Sequence, residues 1–458
     1  MNPRNVDVVV IGAGPAGMAA ATRMADLGMQ VVLLDEQGSA GGQIYRGITL
    51  APLSRRDLLG PDYAQGNALA QALAASQVRF EQGAAVWQVT REHQVSYLQG
   101  GSMRTLQARA VVLATGAMER PFPISGWTLP GVMTAGAAQI LLKSAGLAPS
   151  EPVVLAGCGP LLYLLGWQYL RAGVQIKALV DTTRAEDYWR ARRHLFAALR
   201  AWPYLRKGLD LMRSLRSAGI AHYKGAEHLT IVGEEAAQAL TFTAAGKAQR
   251  IDTRCVLLHQ GVVPNIQFSQ SLRAGHAWDG EQLCFRPVTD GWGELDVPGV
   301  YVAGDGAGIG GAQAAALQGQ LTALGIAARL GKLDEAERDR QAQPLHDQLD
   351  ANLRIRPFLD ALYQPKPANR IPADDVLVCR CEEVTAGQLR GFVGLGCTGP
   401  NQAKSFGRCG MGPCQGRLCG LTVTEVIADA RGVSAAEVGY YRIRPPIKPI
   451  TLGELAGD

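Results

Sequence analysis

Apolar residues come in two alternating rhythms from the start of this chain. Residues 8–11 are four consecutive apolar positions, the pattern of a strand buried on both faces. Residues 16–27 are alanine-rich with helical spacing, and 30–34 form a second apolar strand. The same strand–helix–strand order returns at 152–156, 161–171 and 174–180, a crude internal repeat. Between the two units, 51–80 reads as largely helical, with an apolar stripe at Leu69, Leu73 and Val78. Residues 86–97 alternate like one antiparallel strand, 110–113 are another buried strand, and 135–145 are helical. Further on, 184–217 predict basic helices with eight arginines, Trp189 and Trp202, a pattern that fits a solvated face better than a substrate site. Strands follow at 256–259 and near 300, and a small-residue helix starts at 310–319. Residues 333–370 are charged and helical, then proline-containing, which predicts a linker with a boundary near 370. Strands regularly separated by helices predict an α/β protein.

Composition narrows this picture. A chain of 458 residues accommodates roughly three domains at about 150 residues each. The formal charge of +5 is small for that length and gives no support to a nucleic-acid partner. No apolar run approaches the ~18 residues needed to span a bilayer. The first seven residues pass straight into the first strand, leaving no room for a signal peptide, so a cytoplasmic protein is expected. Nine cysteines in that compartment predict thiols or metal ligands rather than structural disulfides, and six of them fall between Cys379 and Cys419.

The chemistry begins in the turn after the first strand. Gly12, Gly14 and Gly17 stand at the G-x-G-x-x-G spacing, followed by a helix, a strand and the acids Asp35 and Glu36. The first glycine permits the tight turn, the second lets the backbone approach a pyrophosphate, and the third lets helix and strand pack closely. Phosphates then sit at the positive end of the helix, and one of the two acids takes the ribose hydroxyls. Gly42 and Gln43 lie in a second glycine-rich loop, and Ala114-Thr115-Gly116 makes a small-residue turn at a strand's carboxyl end, where open α/β sheets hold ligands. In the repeated unit Gly157 and Gly159 are present, but Leu162 takes the third glycine position. A nicotinamide nucleotide, an adenine nucleotide without redox role, or no ligand all fit that loop. Asp305, between Gly304 and Gly306, suits either a ribityl hydroxyl or an ordinary turn.

The segments 12–17, 114–116 and 299–305 resemble, in order, the motifs of the two-dinucleotide-domain flavoprotein reductases. The likeness covers roughly residues 5–330. It implies α/β architecture with two Rossmann-like dinucleotide-binding domains of glutathione-reductase type. The resemblance implies an FAD domain split into 1–130 and 263–332, with an NAD(P)-binding-like domain inserted at 131–262. It places FAD against Gly12, Gly14, Pro15, Ala16, Gly17, Asp35, Glu36, Gly42, Gln43, Ala114, Thr115, Gly116, Gly304, Asp305 and Gln313. Unlike thioredoxin-reductase-like members, the insert has no C-x-x-C; Cys158 stands alone, which argues against dithiol–disulfide exchange there.

The carboxyl-terminal cysteines supply another outlet for electrons. Cys379 and Cys381 form a C-x-C, and Cys414 and Cys419 a C-x-x-x-x-C, four soft thiolates that suit a [2Fe–2S] cluster. Zinc suits four cysteines as well. The segment resembles the small, helical bacterioferredoxin-associated-ferredoxin-like domain, expected at 371–435 after a helical linker at 333–370. From Cys381 to Cys414 there are 32 intervening residues, which fits the family spacing; the 27 to Cys409 fit less well, so Cys409 is the reserve ligand and Cys397 the weakest candidate. Arg380, Lys404 and Arg408 would offset cluster charge. Residues 436–458 read as an extended tail, suited to docking or to solvent.

Taken whole, the chain resembles the larger flavoprotein subunit of heteromeric amine dehydrogenases: opine oxidases, hydrogen cyanide synthase and hydroxyproline dehydrogenases. The resemblance implies a smaller FAD-dependent partner subunit that oxidises an amino or imino acid, with this chain relaying its electrons. It further allows FMN at a subunit interface and one more small subunit. No His, Ser or Cys constellation for acid–base or covalent catalysis stands out, so the chemistry falls to cofactors. A self-sufficient NAD(P)H-dependent reductase is the alternative.

Overall fold

The computed structural model describes residues 4–456. Its first layer is a seven-stranded sheet built around β1 (Arg4–Ile11), which is followed by α1 (Pro15–Asp26) and β2 (Val31–Asp35). Three short helices, α2 (Leu53–Leu59), α3 (Pro61–Ala64) and α4 (Gly66–Ala75), lead to β3 (Arg79–Gln82), β4 (Ala85–Val89), β5 (Gln94–Gln99) and β6 (Ser102–Leu113). The strand order is β3-β2-β1-β6-β5-β4. β1 pairs in parallel with β2 and β6, Val8 lying beside Val31 on one edge and Ala110 on the other, while Val8 and Val10 enter one core and Val9 and Ile11 another, so its apolar run is covered on both faces.

The single strand expected at 86–97 is in fact the antiparallel pair β4–β5. The polar stretch Thr90-Arg91-Glu92-His93 reverses the chain with His93 at φ +64°, and apolar residues at Val86, Val89, Val95 and Tyr97 flank it on both sides.

A short crossing, β7 (Ala117–Glu119), leads to a five-stranded parallel sheet. It contains β8 (Val132–Thr134), α5 (Ala135–Ala145), β9 (Val153–Cys158), α6 (Pro160–Arg171) and β10 (Ile176–Asp181). The crossover from β10 is unusually large: α7 (Ala185–Ala191), α8 (Leu195–Arg200) and α9 (Trp202–Ser217) precede β11 (Ala221–Lys224). A three-stranded antiparallel sheet, β12 (Glu227–Val232), β13 (Ala239–Ala244) and β14 (Lys247–Asp252), comes before β15 (Cys255–Gln260). The order β11-β10-β9-β15-β8 places the Gly157 turn at the carboxyl edge. β16 (Val262–Pro264) returns antiparallel to β7.

After α10 (Gln267–Ser271) and the hairpin β17 (His276–Asp279) and β18 (Cys284–Pro287), β19 (Val300–Val302) rejoins the first sheet beside β6. It delivers Asp305 ahead of α11 (Ala312–Arg329). α11 crosses α1 through small residues: a Cβ on Gly319 would stand 2.2 Å from the Ala16 carbonyl oxygen. Next come α12 (Glu335–Leu353) and α13 (Arg356–Leu362). The small strands β20 (Leu377–Cys379) and β21 (Val384–Thr385) and helices α14 (Ala386–Gly394), α15 (Pro400–Gly407) and α16 (Gly420–Arg431) enclose the cysteines.

The tail is neither free nor wholly extended. After α17 (Ala435–Val438) it buries Tyr441, Ile443 and Ile447, and it closes with α18 (Leu452–Ala456). The Ile447 amide donates to the Trp87 carbonyl (3.1 Å), and Lys448 pairs with Glu36. The tail therefore docks on its own chain. Among the described residues no helix is long and apolar enough to cross a membrane.

Candidate functional site: a dinucleotide cleft and a thiol cluster

Three glycine turns converge at the carboxyl edge of the first sheet. Gly12 has φ +106°, and a Cβ there would lie 2.4 Å from the Ala114 carbonyl oxygen. A Cβ on Gly17 would lie 1.8 Å from the Gly12 carbonyl oxygen, so α1 starts closer to β1 than any side chain permits. Gly42, at φ +60°, sits so close to Gly14 that its Cβ would be 2.7 Å from the Gly14 Cα, while the Gly41 amide donates to the Ala13 carbonyl (2.8 Å). Gly304 abuts Ala16 across a gap that a Cβ would reduce to 2.7 Å. The result is a cradle of bare backbone whose α1 end carries Pro15 at the first turn and no side-chain cap. Such a helix start offers free amides and positive potential to a phosphate. The cradle fits a dinucleotide because a Cβ at any of these turns would fill it or break it.

The two candidate acids divide sharply. Asp35 accepts from the Ala13 amide at Oδ2 (2.6 Å) and from the Gln37 amide at Oδ1 (2.8 Å), so it fixes the glycine turn. Burial raises its pKa despite those amides. Glu36 is paired with Lys448; burial works against its charge, but the lysine's hydrogen bond and charge hold its pKa below the ordinary value. Asp305 does local work too, its Oδ1 accepting from the Gly310 and Gly311 amides at 2.9 Å each and shaping the entry to α11. Thr115 Oγ1 donates to the Asn265 carbonyl (3.2 Å), whose amide donates back to Gly116 (2.9 Å), stitching the outward and return crossings together. Gln313 lies at the cleft's outer rim, donating to Gln65 Oε1 (3.1 Å) and accepting from the Tyr204 hydroxyl (3.2 Å).

Lys143 escaped sequence reading because an apolar-patterned helix predicts nothing about a lysine on its inner face. Its ammonium is buried beneath the second glycine loop, donating to the Gln43 carbonyl (3.2 Å) and Gln139 Oε1 (2.7 Å). Burial, aided by the Arg46 charge, pushes its pKa down to about 7. An unfolded lysine titrates near 10.4, so between about pH 7 and 10 the unfolded chain binds the additional proton. Stability should therefore rise with pH across that window, by up to ~1.4 kcal/mol per pH unit. Denaturant midpoints for wild type and Lys143→Met, measured over that range, should diverge, with the variant lacking the slope; parallel curves would refute the assignment.

The Gly157–Gly159 loop of the repeated unit is built differently. A Cβ on Gly157 would fall 1.6 Å from the His259 carbonyl oxygen, and one on Gly159 only 3.3 Å from His259 Nε2. His259 is held there by Glu119 (Nδ1 to Oε1, 2.6 Å), whose other oxygen accepts from the Gly136 amide (2.8 Å). This pair joins residues 140 apart in sequence and was invisible as a motif. Leu162 is wholly buried in the place of a third glycine. Cys158 donates to the Tyr363 carbonyl (3.4 Å) from the segment after α13, and burial pushes its pKa up to about 12. Asp181, the acid at the end of β10, accepts from the Tyr163 hydroxyl (2.5 Å) and the Thr183 amide (2.8 Å). Loop, acid and thiol all have partners within the chain.

At the other end, five of the six clustered cysteines meet. The sulfurs of Cys379, Cys409 and Cys419 lie within 4.8 Å of one another. Cys414 shares a hydrogen bond with the Cys419 thiol, and Cys381 with that of Cys414, all of them free thiols. Cys397 is apart, donating to the Gly399 carbonyl (3.4 Å). Thiols from Cys409 and Cys419, then the Gly410 and Glu382 amides, drive the Cys379 pKa far below the thiol range. Cys419, then the Leu418 amide among others, takes Cys414 down to about 5. Cys409 is fully buried against Tyr441, whose hydroxyl donates to its carbonyl (3.0 Å) and touches its sulfur (3.4 Å). Of the three cations proposed near the cluster, Lys404 faces the Cys419 charge and lies 4.8 Å from the Tyr441 ring centroid. Arg380 turns to Trp127 and Arg408 pairs with Glu382. Amides aimed at sulfur, with thiols sharing protons, form a donor set that suits a soft metal centre.

Two dinucleotide folds in series, the first with an open glycine cradle, define a flavoprotein oxidoreductase. Residues 6–319 match the pyridine nucleotide-disulphide oxidoreductase family, and residues 376–458 match the sarcosine oxidase A3 domain. The chain is 46% identical over 459 residues to the A subunit of opine oxidase from Rhizobium meliloti, covering 98% of this chain and 87% of that one. It is 30% identical to the HcnB subunit of hydrogen cyanide synthase from Pseudomonas protegens, covering 97% of this chain and 96% of that one. The fold also matches the crystal structure of L-proline dehydrogenase from P. horikoshii, with a TM-score of 0.72 at 20% identity, over 99% of this chain and 80% of that one. The chain belongs to the pyridine nucleotide-disulphide oxidoreductase family and, within it, to the group of the opine oxidase A subunits.

Proposed function

We propose that this chain is the FAD- and [2Fe–2S]-containing subunit of a heteromeric dehydrogenase acting on C–N donors of the opine or related imino-acid type. In this reading it relays electrons from a smaller, partner flavoprotein subunit that oxidises the donor. Relatives that bear the names of the opine oxidase A subunit and the sarcosine oxidase alpha subunit support a donor with a C–N bond and a multisubunit enzyme. The observation that carries the reading is the pairing of an open cradle at Gly12–Gly17 with a thiol cluster at the far end of the same chain.

Gly12, Gly14, Gly17, Gly42 and Gly304 would admit the FAD pyrophosphate, and Asp35 would keep the turn in shape. Cys379, Cys381, Cys414 and Cys419 would hold the cluster. Backbone amides already address Cys379, Cys381 and Cys414; Cys419, like Cys409, is held by other thiols and Tyr441, and it enters the set through its C-x-x-x-x-C pairing with Cys414. When bound, flavin and cluster supply the two-electron and one-electron capacities that the side chains lack. Lys143 would hold the Gln43 loop against the flavin end of the cleft. FMN at a subunit interface is compatible with this reading, and the partner would complete its site.

The alternative, a self-sufficient NAD(P)H reductase, requires the Gly157–Gly159 loop. That loop faces His259, carries Leu162 and is covered by the Tyr363 segment, so the insert holds no nicotinamide nucleotide in our reading. Excess NADH or NADPH, added anaerobically to the isolated chain, should leave its flavin oxidised over many minutes. Bleaching within one turnover would establish the alternative.

A further inference from the structure

Although α9 ends by burying Leu215, α7, α8 and the first half of α9 are amphipathic the wrong way round. Their small residues face inward: Ala198 and Ala201 are buried with Ile355 beneath them. Their large ones face out, Phe196 at 73% and Trp189 at 64% exposed, with Leu199, Trp202 and Leu209 each at least half exposed. Residues 184–217 also carry nine Lys and Arg against three Asp and Glu, an excess greater than the net +5 of the whole chain. Arginines lie over the exposed rings, Arg192 at 4.2 Å from the Trp189 centroid and Arg200 at 5.3 Å from that of Phe196. Exposed apolar patches of this kind mark interaction sites.

We infer that α7–α9 form the docking surface for the partner flavoprotein subunit, an inference that rests on the heteromeric reading above. Three observations point to this occupant. The five apolar side chains and Tyr204 together expose on the order of 700 Å², close to the ~800 Å² per partner of a stable interface. Eight of the nine cations are arginine, and Trp, Tyr and Arg are the residues of protein interface centres. The patch is continuous with the nucleotide cleft, because the Tyr204 hydroxyl bonds Gln313 at the start of α11 and Asn352 (2.7 Å). A partner seated there would face the cleft mouth. The complementary surface is apolar at its centre and rimmed with carboxylates.

The test uses the tagged full-length chain, purified from its own host with the opine-oxidising complex. Amide exchange across 188–209 should slow about 10-fold or more in the complex relative to the isolated chain. Phe196→Glu with Trp202→Glu should keep its own visible flavin spectrum, which reports folding, while the co-purifying flavoprotein falls about 10-fold or more. Unchanged exchange in an intact complex would overturn the surface while leaving the heteromer standing. Absence of any second flavoprotein would remove both. Protection of the same peptides in the isolated chain at high concentration, or by phosphatidylcholine–phosphatidylserine vesicles, would assign the patch instead to a second copy or to a membrane.

Discussion

Gly17→Val should leave the chain without flavin. The Gly17 Cα lies so near the first turn that even a methyl group would stand 1.8 Å from the Gly12 carbonyl oxygen, with the Ala114 methyl group 3.2 Å away. A valine must drive α1 away from β1, displacing the helix start from which phosphate amides project. Overpacking of this order costs about 1–3 kcal/mol or more, and each 1.4 kcal/mol is tenfold in affinity. FAD affinity should therefore fall by about 10- to 100-fold, read as flavin lost from the polypeptide on dilution. Gly14→Ala separates loss of ligand from loss of fold. Gly14 has φ −77°, and its added methyl would meet nothing nearer than the Gly42 Cα at 3.8 Å, so the free chain should fold normally. The methyl would nevertheless stand in the cradle, and flavin affinity should drop about tenfold or more. Full flavin content in both variants would contradict the placement of FAD.

Cys414→Ser and Cys379→Ser should each strip the chain of iron and acid-labile sulfide by about tenfold or more, because a cluster lacking one thiolate is released. The loss should also loosen α14–α16. Cys379, Cys419 and Tyr441 are part of one buried core with Val423 and Ile427, and metal binding at such a site counts directly as folding free energy, on the order of several kcal/mol. Cys409→Ser should retain the cluster, with its spectrum shifted by the altered neighbour, since the 32-residue spacing from Cys381 to Cys414 leaves Cys409 outside the proposed ligand set. If Cys409→Ser lost the iron and Cys381→Ser kept it, the ligand set would pass to the buried trio plus Cys414. Stoichiometric zinc in place of iron would remove the redox role.

What could be read in the sequence was local. Residues 8–17 state a strand, a turn and a helix within ten positions, and only one backbone arrangement satisfies that spacing. The C-x-C and C-x-x-x-x-C pairs are similarly compact. What could not be read depends on residues that meet only in the fold: Lys143 with Gln43, 100 residues apart; Cys158 with Tyr363, 205 apart; Lys448 with Glu36, 412 apart. The β4–β5 hairpin was missed for a different reason, since its turn carries no Gly, Asn or Pro and His93 adopts a positive φ unaided. Cys409 looked peripheral by spacing because a fixed count from Cys381 says nothing about how the loop before α16 doubles back onto β20.

The relay reading stands or falls on where the donor's electrons enter. An opine added anaerobically to the isolated chain should leave the flavin spectrum unchanged, and the same addition to the chain with its partner flavoprotein should bleach it. Rapid bleaching of the isolated chain by the opine would show that this subunit oxidises the donor itself and would contradict the account.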